Sequence, residues 1–413
     1  MTSLRTLPTP RTVLIAGGGA AAIEAALALV AIPGKDLRVE LIAADSSWAY
    51  RPLTVVEPFT TGRPRTYAIE ALEDVGVRIH RNELVAVDPE RKIVTLASRA
   101  ELHYDALLVA TGSESQPTLA FAASAIDAER LHGLIQDVEG GFCRRIAFVA
   151  PPGAGWTLPL YELVLQMAER CDDLCLDNVE LTVITHEQRP LQAFGTAASE
   201  LLEQLLADAD VTLVLGAVPD VPGTGRIVAR PGEAAIEVDR IVAMPMASGR
   251  GVPGLPSTDR GFLPVDAHGR VSGVPGVYAA GDITDHPLKQ GGLATQQADA
   301  AAAAIAADAG LPVELEPFRP VLRGILIAGS ACWYLIRELG GDAAGTVSNR
   351  PLWWPPTKIA GRHLSPFLDG RDAESGRIPV ERRLGRDAGP VRRRAVITKA
   401  GDGEHAHTVV LAD

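Results

Sequence analysis

The stretch "VLIAGGGAAAIEAALAL", Val13 to Leu29, carries the first reading of this chain. Val13, Leu14 and Ile15 form a short apolar run of the kind a buried strand shows. The residues from Ala20 to Ile32 read as a helix. Between them the spacing is Gly17-x-Gly19-x-x-Ala22. Small residues at these three places suit a dinucleotide: Gly17 permits the tight turn, Gly19 lets backbone approach a pyrophosphate, and Ala22 seats the helix close on the strand. The helix start would then aim free N–H groups at phosphate. A glycine-rich turn with no ligand is the alternative reading of the motif taken alone.

Three further segments extend the pattern. "LRVELIAA" (Leu37 to Ala44) is a second strand, whose end would ordinarily carry an acid for ribose hydroxyls. Ala43 and Ala44 stand there instead, and Asp45 is the nearest acid. "YDALLVATGS" is a third strand ending in Ala110-Thr111-Gly112, and "GVPGVYAAGDITD" a fourth ending in Ala280-Gly281-Asp282. Together these strand-ends resemble the two-dinucleotide-binding-domain flavoproteins, the FAD-dependent pyridine nucleotide–disulfide oxidoreductase superfamily. The resemblance covers roughly residues 10 to 315. It implies that the first glycine motif holds the FAD pyrophosphate, that the A-T-G segment packs beside it, and that Asp282 bonds the ribityl chain. It also implies a helix from Ala294 to Ala307 whose start at Gly291, Gly292 and Leu293 faces the flavin pyrimidine edge, where a positive dipole end favours the reduced anion. Lys289 adds charge there or is a solvated loop lysine. "YRPLTVVEPF" is similar to the segment after the second strand in sulfide:quinone oxidoreductases and type II NADH dehydrogenases, which places Arg51 and Pro52 near the ring. Those groups also often carry an acid where Glu24 stands, although an acid early in a helix is often a dipole partner.

"RRIAFVA", "WTLPLYELVLQMAERC" and "NVELTVIT" repeat a strand–helix–strand order, so a second Rossmann-like unit is expected. Its loop, "PPGAGWTL", departs from a nicotinamide-nucleotide site: Gly153 and Gly155 fit, but Leu158 takes the third glycine position. Pro151 and Pro152 lack N–H donors, and Trp156 fills space where phosphates would approach. "THEQRPLQAFG" looks like a stretch of sulfide:quinone oxidoreductase-like proteins. Arg189 within it is a surface residue or a partner for a 2′-phosphate.

The first domain has no C-x₂-C or C-x₄-C, which removes glutathione-reductase-type chemistry. By resemblance, a sulfide-oxidising pair would take one cysteine from the second-domain loop and one about fifty residues past A-G-D. Cys332 meets the second requirement and nothing meets the first; as a residue of "IAGSACWYLI" it also reads as a small buried apolar group. Cys171 and Cys175 make a poor metal site, and no metal site is expected. His286 and the pair His405 and His407 read as loop or solvated histidines.

The chain has 413 residues and a formal charge of −12, which argues against a general nucleic-acid partner. Four cysteines are too few for a disulfide framework. The start lacks the apolar core of a signal peptide, and no apolar run reaches membrane-spanning length, so a cytoplasmic location is expected. Residues 350 to 400 hold 12 Lys and Arg against 5 Asp and Glu, a local excess of 7. With Trp353 and Trp354, this basic region suits the anionic inner face of a membrane; a lid or homodimer interface with a charged tail is the other reading.

The expected fold is α/β, with two Rossmann-like dinucleotide-binding domains and a C-terminal α+β cap. The first, FAD-binding, is discontinuous (1–115 and 255–315), the second spans 116–254, and the cap 316–413. The expected function is an FAD-dependent oxidoreductase that takes electrons from a small-molecule donor to a quinone-like acceptor. An NAD(P)H-dependent flavoprotein, of the type II dehydrogenase or ferredoxin reductase kind, and a non-catalytic binding or scaffold protein of the same fold are the alternatives.

Overall fold

A computed structural model describes residues 10–33, 37–60, 64–232 and 235–377, and the backbone of 396–399 and 407–410. The opening strand spans Arg11–Ala16, and Val13 to Ala16 are completely buried. It lies at the centre of a five-stranded parallel sheet, with Val13 opposite Val39 on one side and Ala106 on the other. Across the sheet the order is Val277–Ala279, Ala106–Val109, Arg11–Ala16, Leu37–Ala43 and Arg78–Arg81. The chain therefore builds outward one way from the central strand and returns across it to build the other. A crevice opens where the direction reverses, at the strand ends marked by Ala16 and Val109; open α/β sheets hold ligands in such a place. Helices Ala20–Ala31 and Gly291–Asp308 pack closely on one another beside it. Alanines such as Ala25, Ala298 and Ala301, all completely buried, permit that close approach.

A second sheet repeats the plan. Its order is Ala123–Ser124, Arg240–Ala243, Arg145–Ala150, Glu180–Thr185, Thr212–Leu215, Val396–Lys399 and His407–Val410. The pairings are parallel except the last. Helix Leu158–Asp173 covers one face with Leu160, Tyr161 and Val164 fully buried. A short antiparallel pair, Glu114–Gln116 with Met246–Ser248, joins the two crossings between domains.

The cap is a three-stranded antiparallel sheet, Val321–Ala328, Ala331–Glu338 and Thr346–Ser348, followed by helix Leu364–Glu374. The strands Val396–Lys399 and His407–Val410, within the region read from sequence as cap, extend the second sheet instead. The side chains of residues 378–413, including most of the basic tail, His405 and His407, lie outside the described residues. The two tryptophans of "RPLWWPP" part company: Trp353 packs edge-on to Tyr334 and donates its indole N–H to the Thr357 carbonyl at 3.1 Å, whereas Trp354 is 77% exposed. Among the described residues no helix is long and apolar enough to cross a membrane.

Candidate active site

Gly17 turns the chain at the mouth of the first sheet. Its N–H donates to the Ile42 carbonyl at 2.9 Å and its φ is +135°. A Cβ there would run into the carbonyl oxygen of Ala110, so the A-T-G strand-end packs directly on the glycine loop. At Gly18 an added Cβ would lie 3.4 Å from the Ala43 Cβ. Gly19 caps helix Ala20–Ala31, and a Cβ at that position would meet nothing within 4 Å. No side chain caps the helix and no acid stands in its first turn, so its first N–H groups and dipole face open space. Ala22 is completely buried. Beside this mouth the Thr111 hydroxyl is buried and bonded to nothing among the described residues. Asp45 is exposed two residues past the strand end, and Arg81 donates to its backbone carbonyl.

The A-G-D turn closes the other side. Gly281, with φ +81°, wedges between the two helix starts: a Cβ would sit 3.0 Å from that of Ala21 and 3.4 Å from that of Ala294. Its N–H donates to Gln297 Oε1 at 2.7 Å. Burial pushes the Asp282 carboxyl above its ordinary range, while the charges of Lys289 and Arg51 pull it back. Three residues from separate sequence motifs thus share one field. Lys289 donates to the Thr284 carbonyl at 2.6 Å and stands 3.8 Å from the centre of the Phe262 ring. Burial pushes its ammonium down to about 8, against the pull of Asp282 and Asp285. It is not a solvated loop lysine.

Other contacts here escape sequence reasoning. Gln290 caps helix Gly291–Asp308, its Oε1 accepting from the Leu293 N–H at 2.7 Å, so that donor is already engaged. Gly292 sits tight against the same glutamine. The cap lays Ile359 on Gly291, where an added Cβ would come within 2.8 Å of the isoleucine. Buried Lys358 donates to the Pro52 carbonyl at 3.1 Å and to Glu162 Oε1 at 2.5 Å, and the same oxygen accepts the Ile327 N–H at 2.9 Å. One ion pair therefore ties the turn after Arg51, the second-domain helix and the cap sheet together. The sequence signal was a lone lysine in a proline-flanked apolar stretch, "WWPPTKIAG". Glu24 is fully buried away from the glycine loop, its oxygens accepting the N–H groups of His363 and Leu364 in the cap.

The second-domain mouth has the same plan and a different content. Gly155 packs on the Pro287 carbonyl, which an added Cβ would approach to 3.1 Å, and Trp156 lies against Phe194 with ring centres 5.5 Å apart. Glu187, past the end of strand Glu180–Thr185, turns inward and accepts from the Tyr161 hydroxyl at 2.6 Å and the Thr157 hydroxyl at 3.2 Å. Its burial raises the carboxyl above the ordinary range. Arg189 is held bidentate by Glu203, at 3.0 and 2.8 Å. Groups that could read a nucleotide ribose or its 2′-phosphate are thus already paired.

Cys332 is buried in the cap hairpin opposite Ile327, in no disulfide. Cys143 and Cys171 lie near one another at the opposite end of the second domain from its mouth, where burial pushes both thiols up to about 11. Thiols held protonated in this way are poor nucleophiles. Among the described residues no cluster of ligand side chains could hold a metal ion.

The sequence model of the pyridine nucleotide-disulphide oxidoreductase family matches residues 3–141 and 163–306, more than half of the chain. The chain belongs to this family. It is accordingly an oxidoreductase on a family α/β fold. An NADH dehydrogenase-like protein of Mycobacterium tuberculosis is 28% identical over 296 residues, 66% of this chain and 72% of that protein. Among solved structures, the sulfide:quinone oxidoreductase of Aquifex aeolicus superposes with a TM-score of 0.73 at 17% identity, covering 82% of this chain and 86% of that one. A ferredoxin reductase of Rhodopseudomonas palustris covers 91% and 97%, with a TM-score of 0.58 at 18% identity. At such identities the two structures speak for the fold alone.

Proposed function

We propose that this family member holds FAD in the first domain and passes electrons from a small donor, which does not dock on the second domain, to a quinone-like acceptor. The second-domain mouth supports this reading: Trp156 packs on Phe194, Glu187 is turned inward to Tyr161 and Arg189 is paired with Glu203, so the side chains that would meet a nicotinamide nucleotide are engaged within the protein. The first mouth fits FAD. The open position over Gly19 and the free helix start suit a pyrophosphate, the Thr111 hydroxyl has no partner among the described residues, and we assign to the Asp282 carboxylate the acceptance of ribityl hydroxyls. When bound, the isoalloxazine supplies the two-electron chemistry, and the protein supplies binding, orientation and electrostatics. Lys289 supplies a cation whose proton leaves near pH 8. Gln290 fixes the start of helix Gly291–Asp308, and Lys358 fixes the turn bearing Arg51 and Pro52. In this reading the enzyme works in the cytoplasm, with exposed Trp354 and Leu352 as its contact with the inner membrane face.

The curated relative's description as NADH dehydrogenase-like favours a second reading, in which NAD(P)H is the donor. Anaerobic bleaching separates the two. Purified yellow protein is mixed with NADH, NADPH, sulfide or a reduced quinone. Rapid bleaching by either nicotinamide overturns the proposal; bleaching by sulfide or quinol, with none by the nicotinamides on the same time scale, supports it.

A further inference from the structure

The cap meets the first domain over a buried acid. Glu24 is completely buried, yet its carboxylate accepts two backbone donors, the N–H of His363 at 2.8 Å and of Leu364 at 2.6 Å. These donors begin helix Leu364–Glu374, whose dipole favours a negative charge at that end. Gly361 makes room for the approach: a Cβ there would be 2.5 Å from Glu24 Oε2. Asp299 stands on helix Gly291–Asp308, which packs on the Glu24 helix; the Glu24 charge acts on its carboxyl, and its Oδ1 is buried with no hydrogen-bond partner among the described residues. Carboxylates in contact and out of water do not both ionise. The other charged or titratable groups facing the pair come from the cap: Arg362, which is exposed, and His363, whose imidazole burial holds below its ordinary range.

We propose that Asp299 holds a proton shared with Glu24, and that this proton is a latch keeping the cap docked on the first domain. The one chemical change in the switch is loss of a proton from the Asp299 carboxyl to water; in the docked form the Glu24 charge faces the start of the cap helix. Burial and the Glu24 charge raise the Asp299 carboxyl to about 8. Undocking solvates both acids, returning Asp299 to the ordinary carboxylate range. The docked form therefore binds one more proton than the undocked form between about pH 4 and 8. Docking weakens as pH rises across that window and levels off above it. The cap brings Ile359 onto Gly291 and Lys358 onto Pro52, so opening uncovers the mouth assigned to the flavin. The inference rests on the proposed function only for what the cap covers.

Hydrogen exchange read by mass spectrometry on the full chain tests it, with rates corrected for intrinsic pH dependence. In the wild type, peptides spanning His363–Glu374 should open more readily from pH 6 to 8, with a limit of about tenfold per unit for one proton. Asp299→Asn, which keeps a donor toward Glu24, should flatten that slope and leave peptides of strand Arg145–Ala150 unchanged. Infrared spectra of the wild type should show a protonated carboxyl band that titrates away near pH 8 and is missing in the variant. A wild-type cap whose exchange ignores pH, or an equal slope in Asp299→Asn, overturns the proposal. If the variant does not fold, the absence of a titrating wild-type band overturns it alone. None of these readouts needs a bound flavin, so failure here is distinct from failure of the proposed function.

Discussion

The two sheet mouths are built on one plan and left in opposite states. Each has a parallel strand, a loop with glycines two apart, and a helix. In the first, Gly19 faces open space and a buried threonine hydroxyl awaits a partner. In the second, Gly155 is packed on a neighbouring carbonyl, Trp156 lies against Phe194, and the acid past the strand end turns inward to Tyr161. Glycine spacing thus gives permission for close approach; the residues around the loop decide whether ligand or protein takes it.

Two glycines of the first loop sharpen the contrast most. Gly17→Val should remove both fold and flavin: positive φ alone costs roughly 1–3 kcal/mol in a non-glycine residue, and the side chain meets the Ala110 carbonyl as well. Thermal melts followed by circular dichroism should show a drop of several degrees or an insoluble product. Gly19→Val should fold, since nothing crowds its Cβ, yet emerge colourless; a fully yellow Gly19→Val protein would contradict the assignment of this loop. Next in size, Trp156→Ala should fail to open the second mouth to nicotinamide, because Pro151 and Pro152 still lack donors and Tyr161 still holds Glu187. We expect NADH bleaching to rise by less than about tenfold, some 1.4 kcal/mol; a larger gain would show that one ring was the whole obstacle.

Lys289 offers a pH test of the first mouth. Its proton is lost near pH 8 in the folded state and only in the ordinary lysine range when unfolded. The unfolded chain therefore binds more protons in that interval, and stability rises with pH across it. Denaturant midpoints measured from pH 7 to 10 should show this rise in the wild type and not in Lys289→Met, which should also lose any flavin absorbance shift centred near pH 8. The smallest effect belongs to Asp45→Ala. The side chain is exposed at the rim, and flavin retention under dialysis should change by no more than about tenfold, the scale of one exposed hydrogen bond.

What could be read from the sequence divides along the same line. The glycine loop, the A-T-G and A-G-D turns and the helix starts were legible because each is a local backbone demand that only certain residues meet. The departures of the second loop, Pro151, Pro152 and Trp156, were legible for the same reason. The Lys358–Glu162 pair, the Gln290 cap and the Glu24–Asp299 contact were hidden, since each joins residues from distant segments and no period or spacing marks them. Glu24 shows the limit well: an acid near a helix start reads as a partner for its own helix, and in the fold it serves another.

The second sheet has one more consequence. Thr212–Leu215 pairs on its outer side with Val396–Lys399, which the ribosome delivers only after the first domain's last strand and the whole cap. Until then a strand whose Leu213 and Leu215 belong inside presents an open edge to every nascent chain nearby. Pairing across so long a separation is also slow. Expression at lower temperature or with a holdase chaperone should thus raise soluble yield, and shortening the chain before Val396 should leave a sheet prone to self-association.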